Sequence, residues 1–149
     1  MLDPKHSESL DFLLANISHL HRTRAHQLFE ALGLYRGQPP VLLALWEHEG
    51  LTQTELAARL QNTPATVTVM LQRMEKAGFI QRQPDEQDLR VTRVYLTEAG
   101  RAVKSQVEAI WKQMEADAFA GLSEAERAQL REFLLRVRDN LQVATGEKV

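Results

Sequence analysis

The clearest alternation of apolar and polar positions lies in residues 61–79, QNTPATVTVMLQRMEKAGF. Thr63 is suited to cap a helix, Pro64 fits the first helical position, and Gly78 supplies the left-handed residue that commonly ends a helix. Between these limits, apolar residues recur at the i, i+3, i+4 and i+7 spacing of one helical face: Val67, Met70, Leu71 and Met74. The pattern predicts a helix with one side packed against a core.

The opposite face of this helix starts with short side chains and continues with an amide and cations. Its members are Thr66, Thr68, Val69, Gln72, Arg73 and Lys76. Small side chains let a helix approach the floor of a DNA groove, and arginine or lysine one or two turns later can reach phosphates. The face therefore fits a recognition helix. Taken alone, the segment fits an ordinary amphipathic helix with a solvated side better, because that pattern is so common.

The neighbouring segments favour the recognition helix. Thr52 and Glu55 match a capping box that opens a short helix through Leu60, and residues 61–63 make a tight connection to the next helix. This is the layout of a helix-turn-helix. Residues 79–82, a polar run over 83–90 and the alternating segment 91–96 then predict a β-hairpin, which makes the unit a winged helix.

Over residues 52–101, with flanking pieces that extend to most of the chain, the sequence resembles the MarR family of bacterial transcription regulators. The resemblance rests on the order of the helices, on the segment LTEAGR at 96–101, and on the Asp-x-Arg motif formed by Asp88, Leu89 and Arg90. It implies that Arg90 reaches into a minor groove and that Asp88 helps to fix the wing. Many members carry arginine at the position of Val69 and a second basic residue at that of Leu89, so the chain departs from the family pattern twice.

We therefore expect a mainly α fold: one MarR-like domain over 1–149, with a winged helix-turn-helix at 34–96 and helical dimerisation parts at 7–33 and 97–145. The expected DNA contacts come from the turn, the recognition helix and the wing. They are Thr52, Gln53, Thr63, Pro64, Ala65, Thr66, Thr68, Val69, Gln72, Arg73, Lys76, Asp88, Arg90 and Arg93.

The flanking helices carry more apolar surface than a small domain can cover. We predict helices over 10–32, capped by Ser7 or Ser9 and ended by Gly33, and over 41–49, opened by Pro40. A long helix should run from Thr97 to near residue 121, followed by one that starts with a capping box at 123–126. The tail 144–149 should be frayed. The long apolar faces predict a homodimer.

Composition limits the other classes. The 149 residues are 44% hydrophobic without an apolar run near the length of a membrane span, and the N-terminus has no signal-peptide core, so we expect a cytoplasmic protein without membrane contact. The absence of cysteine excludes thiol-based sensing. The formal net charge is −2, but residues 52–96 carry 6 basic and 5 acidic side chains, so the winged helix is the positive segment.

An effector pocket is expected from the resemblance, because MarR-like proteins often bind small aromatic anions. His19, Arg22, Tyr35 and Trp46 are its candidate residues. Tyr35 and Trp46 equally fit a packing role at the junction of the two parts. The histidines fit solvated positions better than a metal site, since no histidine follows His48. We expect neither a metal nor a cofactor.

The function predicted is sequence-specific binding of double-stranded DNA, as a ligand-responsive repressor acting on a pseudo-palindromic operator. An enzyme would need a nucleophile with its base, a metal or a phosphate-binding loop, and the sequence contains no GxSxG, HExxH or P-loop motif. A helical module whose winged helix binds protein remains an alternative.

Overall fold

The computed structural model of the chain describes residues 9–35 and 37–146, which form seven helices and one antiparallel hairpin. In chain order these elements are α1 (Leu10–Glu30), α2 (Gln38–Glu47), α3 (Gln53–Arg59), α4 (Pro64–Ala77), β1 (Ile80–Pro84), β2 (Thr92–Leu96), α5 (Glu98–Ala102), α6 (Lys104–Ala118) and α7 (Glu124–Thr145). None of the helices in the described ranges combines the length and the hydrophobicity that a membrane-spanning helix requires.

The first two helices differ from expectation in their limits. Ser9 caps α1 by accepting a hydrogen bond from the Phe12 amide at 3.2 Å, while Ser7, the other candidate cap, lies outside the described residues. The prediction that Pro40 opens a helix over 41–49 is wrong, because α2 already starts at Gln38 and ends at Glu47. Two consecutive prolines are tolerated in its first turn since the amides there have no partner within the helix.

The helix-turn-helix follows the prediction closely. Thr52 and Glu55 form the expected capping box at the start of α3. Thr63 accepts a hydrogen bond from the Thr66 amide at 3.2 Å, and Gly78 ends α4 with φ 88°. Gln61, with φ 50°, is the single non-glycine residue with positive φ in the described part of the chain, and it makes the tight turn between the two helices.

The wing is a two-stranded hairpin whose register pairs Ile80 with Leu96 and Pro84 with Thr92. The loop predicted over 83–90 is shifted in the structure: β1 extends to Pro84, and the connection covers 85–91. Proline fits there because the end of a strand need not donate a ladder hydrogen bond. The segment 50–52 continues the pairing on the other side of β2: the Val94 amide donates to the Leu51 carbonyl at 2.9 Å.

The single long helix expected after Thr97 is two helices, α5 and α6, separated at Val103, and the second ends at Ala118 rather than near 121. Ser123 opens α7 with the predicted capping box. The expected fraying from 144 is wrong for its first residues, because α7 continues to Thr145 and Gly146 caps it. The rest of that tail lies outside the described residues.

The chain divides into two compact units at Met114. In the first, helices α1 to α4, the hairpin, Val103 and the start of α6 contribute side chains to one core. Its largest fully buried members are Leu34, Leu42, Leu45, Leu56, Leu71, Met74, Ile80, Val41, Val67, Val94 and Val107. In the second unit, Arg127 donates hydrogen bonds to the carbonyls of Phe119 and Leu122, which fixes the start of α7, and no residue of α7 is buried.

Candidate nucleic-acid interface

One side of α4 is buried and the other is open, as the periodicity predicted. Val67, Leu71 and Met74 are fully buried, and Met70 is partly buried beside them. The exposed side carries Ala65, Thr66, Val69, Gln72, Arg73 and Lys76. Within the described residues, the side-chain amide of Gln72 and the cationic groups of Arg73 and Lys76 have no hydrogen-bond partner. These three groups are free to meet a ligand.

The hydroxyl groups of this helix are less free than the sequence suggested. The Thr68 hydroxyl donates to the Pro64 carbonyl at 2.9 Å and accepts from the Gln53 side-chain amide at 3.2 Å. The Thr63 and Thr66 hydroxyl oxygens lie 2.8 Å apart. Gln53 and Thr68 thus join α3 to α4, and the Thr68 hydroxyl has used its only hydrogen within the helix.

The loop of the wing is organised by two carboxylates. Asp85 accepts hydrogen bonds from the amides of Gln87 and Asp88, both at 3.0 Å, and the Asp85 amide donates to the Val91 carbonyl at 2.8 Å. Asp88 accepts from the Arg90 amide and from the Arg90 guanidinium at 3.1–3.2 Å. The loop therefore holds Arg90 in one direction although its side chain is 90% exposed.

These contacts favour the ionised carboxylates. The Arg93 guanidinium, followed by the amides of Asp88 and Gln87, lowers the pKa of Asp85. The side chain of Arg90, followed by its amide, lowers the pKa of Asp88. Both side chains therefore remain acceptors throughout the range in which the protein would meet DNA.

Arg93, one of the expected DNA contacts, has partners within the protein. Its guanidinium donates to the Asp85 carboxylate and, through Nη1, to the Gly50 carbonyl at 2.9 Å. The ion pair raises the pKa of Arg93. This side chain fastens the wing loop to the segment between α2 and α3.

Further contacts, which the sequence did not reveal, fix the wing to the helices. Arg82 in β1 donates to Glu75 of α4 from its amide at 2.9 Å and from its guanidinium at 3.2 Å, and the guanidinium lowers the pKa of Glu75. A Cβ atom on Gly100 would lie 2.1 Å from the Phe79 carbonyl oxygen. Only glycine allows α5 to lie this close to Phe79.

A cavity of about 860 Å³ lies in the first unit between α1, the 34–37 connection, α2 and α6. It brings together His19, Arg22 and Tyr35, three of the four residues expected to form an effector pocket. Trp46, the fourth, does not line this cavity, and its indole N–H donates to the Gly100 carbonyl at 3.0 Å. Trp111, which the sequence analysis did not single out for this role, lines the cavity instead.

The fold, with α4 exposed on one side and followed by the β-hairpin, assigns the protein to the winged helix-turn-helix class. A sequence profile of the MarR family matches residues 34–92. The organic hydroperoxide resistance transcriptional regulator of Bacillus subtilis is 37% identical over 100 residues, 67% of this chain and 68% of that protein. The chain belongs to the MarR family of transcriptional regulators, a family of regulators and not of enzymes.

Two further comparisons agree with this assignment. The transcriptional regulator TtmR of Methylorubrum extorquens is 34% identical over 106 residues, and the match spans 71% of this chain and about half, 53%, of that protein. The structure of the S. aureus MepR–DNA complex superimposes with a TM-score of 0.77 at 30% identity, covering 89% of this chain and 98% of that chain. The predicted mainly α, winged helix-turn-helix fold is confirmed.

Proposed function

We propose that the protein is a homodimeric repressor that binds a pseudo-palindromic operator in double-stranded DNA and is released by a small ligand. The observation that carries the proposal is the open side of α4, where Gln72, Arg73 and Lys76 lack partners in the described structure, together with the exposed Arg90 of the wing loop. The S. aureus MepR–DNA complex supports DNA as the ligand of this face.

In this proposal α4 enters the major groove. Its first turns present small side chains, so the backbone can come close to base edges, and the cations follow further along the helix. Arg73 contacts a phosphate, which gives affinity without sequence information. Gln72 reads a base edge, and its amide is suited to the donor and acceptor pair of adenine.

The wing then lies over the adjacent minor groove. Arg90 is exposed and long enough to enter the groove, and Asp88 directs it from two residues away through hydrogen bonds to its guanidinium. A narrow, A·T-rich minor groove has the stronger negative potential and attracts such a cation. Arg93 supports this arrangement from behind, in place of the direct contact expected from the sequence.

The dimer is supported by exposed apolar side chains on the two terminal helices. On α1, Leu13, Ile17 and Leu20 are each more than half exposed. On α7, Phe133, Leu134 and Leu141 are 44–52% exposed. A second copy that covers these residues would form the dimer, whose two recognition helices must lie about 34 Å apart, one turn of DNA, to meet successive major grooves. Sedimentation of the purified protein as a monomer at micromolar concentration would overturn this part.

Repression follows from occupancy, because a dimer bound to a promoter in the cytoplasm excludes polymerase.

The effector is a small aromatic or anionic molecule in the cavity, held by the cation of Arg22 and by the ring of Tyr35. It acts by shifting the population of dimers whose recognition helices match the half-site spacing. Benzoate, as a probe, should quench Trp111 and weaken retardation of the operator, and Arg22→Ala should abolish both effects. Quenching that persists in Trp111→Phe would place the probe elsewhere.

The proposal is tested by gel retardation of the DNA upstream of the protein's own gene. Wild-type protein should retard a fragment that contains an inverted repeat, and Arg73→Ala should weaken retardation. Lys112→Ala removes one positive charge from an exposed position of α6 and serves as the matched control. Equal retardation by the two variants would reject α4 as the DNA-binding helix. Retardation by the wild-type protein, together with its weakening in Arg73→Ala, would distinguish a DNA-binding regulator from a protein whose winged helix binds another protein.

A further inference from the structure

Val69 occupies the outermost line of α4. At 100° per residue it lies within roughly 15° of the direction opposite the buried side chains Val67, Leu71 and Met74. It remains 48% exposed, although its neighbours on this side are polar or small. A single exposed valine is common on protein surfaces and carries no weight alone. Its surroundings decide what it can do.

The hydroxyl groups next to Val69 on its N-terminal side already have partners within the protein. The Thr68 hydroxyl is bonded to Pro64 and Gln53, and the Thr66 hydroxyl lies 2.8 Å from that of Thr63. From Pro64 to Gln72, α4 contains no lysine or arginine. Guanine is read in the major groove chiefly by arginine or lysine at O6 and N7. The first half of this recognition helix therefore lacks the cations that most often read guanine.

What remains is an apolar branched side chain and, one turn later on the same side, the free amide of Gln72. Thymine is the one base that offers an apolar group, its 5-methyl, in the major groove, and adenine offers the N6 and N7 pair that glutamine matches. Valine is stiff about χ1, so its two methyl groups are presented in a fixed direction. The two side chains are complementary to A·T pairs.

We infer that Val69 is a specificity-determining residue that packs against the 5-methyl group of a thymine, and that Val69 and Gln72 together select A·T pairs in each half-site. The inference rests on the proposed function and deepens it, because it names the base pairs that the recognition helix accepts. Arg73 and Lys76 contribute to binding in the second half of the helix, where backbone phosphates are nearer than base edges.

The test starts from duplexes selected out of a random library by the wild-type protein. Each thymine of the selected site is then replaced by uracil, which removes only the 5-methyl group. We expect one position per half-site at which uracil weakens binding about fourfold, the value of one buried methyl-sized group. Val69→Ala removes the contact from both subunits, so on the thymine duplex it should lose about fourfold per half-site, about sixteenfold in all, and show no further loss with uracil.

Two variants make the result specific. Val69→Thr keeps one methyl group and should keep the sensitivity to uracil at the same position. Val69→Arg should move the preferred base at that position to guanine. Neither alters the core, because the side chain points outward, and helical circular dichroism checks that each variant folds.

Three results would contradict the inference, and the first of them would also contradict the proposed function. Failure to enrich any sequence would overturn the proposed function and this inference with it. Enriched half-sites with G·C at the contacted pairs would overturn the inference alone. So would equal sensitivity to uracil in the wild type and in Val69→Ala, since the methyl contact would then come from another residue.

Discussion

The Arg93 guanidinium links the Asp85 carboxylate at the start of the wing loop to the backbone of Gly50, 43 residues earlier in the chain. Asp85 in turn accepts the amides of Gln87 and Asp88, so one ion pair connects the loop that carries Arg90 to the helix-turn-helix. The wing is thus a positioned element, and its position depends on side chains that need not touch DNA.

Replacing Asp85 should weaken operator binding. Asp85→Asn removes a negative charge from the wing, and simple Coulomb attraction to phosphates predicts tighter binding. We expect several-fold weaker binding instead, because the Arg93 contact and the ordered loop are lost. Glu86→Gln is the control: it removes an equal charge from the same loop, and binding should stay equal or increase. Tighter binding by Asp85→Asn in fluorescence anisotropy at low salt would show that the ion pair does not position the wing.

The carboxylates of the wing should titrate below the ordinary aspartate range. The pKa of Asp85 and that of Asp88 are lowered in the folded chain, so the stabilisation by the ionised groups is fully present above the unfolded value near 3.9 and is lost as pH falls through the folded values. Carbon-detected NMR should give both midpoints below that value. Arg93→Gln should raise the Asp85 midpoint more than that of Asp88; equal changes at the two sites would argue against a specific pair.

The recognition helix should separate specificity from affinity. Gln72→Ala is expected to relax the preference at one base pair per half-site, at a cost on the order of 1–3 kcal/mol for each contact. Arg73→Ala should weaken binding to all sequences similarly and reduce the slope of log affinity against log salt by about one per subunit. Binding of both variants across a panel of operator mutants distinguishes these effects. An unchanged profile for Gln72→Ala would reject our assignment of the base-reading face.

At Asp88, as at Asp85, the direction of the change in DNA affinity distinguishes a positioning role from simple charge repulsion. Asp88→Ala should weaken binding because Arg90 loses the acceptor of its guanidinium hydrogen bonds, even though a repelling charge disappears. Dimerisation and thermal stability should change little, since the loop is solvated. A gain in affinity at low salt would mean that Asp88 merely repels phosphate.

Much of the fold was predictable because its signals are local. Thr63, Pro64 and Gly78 mark the limits of α4 within a few residues, and the capping boxes at Thr52 and Ser123 lie within one turn. The start of α2 was missed because a proline pair signals the first turn without fixing its register. The break at Val103 has no glycine or proline at that residue to announce it.

The site was less predictable where it depends on contacts distant in sequence. The role of Arg93 requires Gly50, and that of Trp46 requires Gly100, 54 residues later. Both side chains have the chemistry of a binding residue, so the position of Arg93 in the wing and the family resemblance of the chain suggested DNA and an effector as their partners. The exposed direction of Val69, by contrast, follows from helical periodicity. Its proposed role in base selection depends on the hydrogen bonds of the neighbouring Thr68 hydroxyl, which the sequence does not reveal.

The central claim is that two copies of the chain place α4 in successive major grooves and Arg90 in the flanking minor grooves. Hydroxyl-radical footprinting of wild-type protein and of Arg90→Ala on one selected operator tests it most directly. We predict symmetric protections separated by about one helical turn, with outer minor-groove protections that disappear in Arg90→Ala while the inner ones remain at saturating protein. A footprint without two-fold symmetry, or outer protections that persist in Arg90→Ala, would contradict the account.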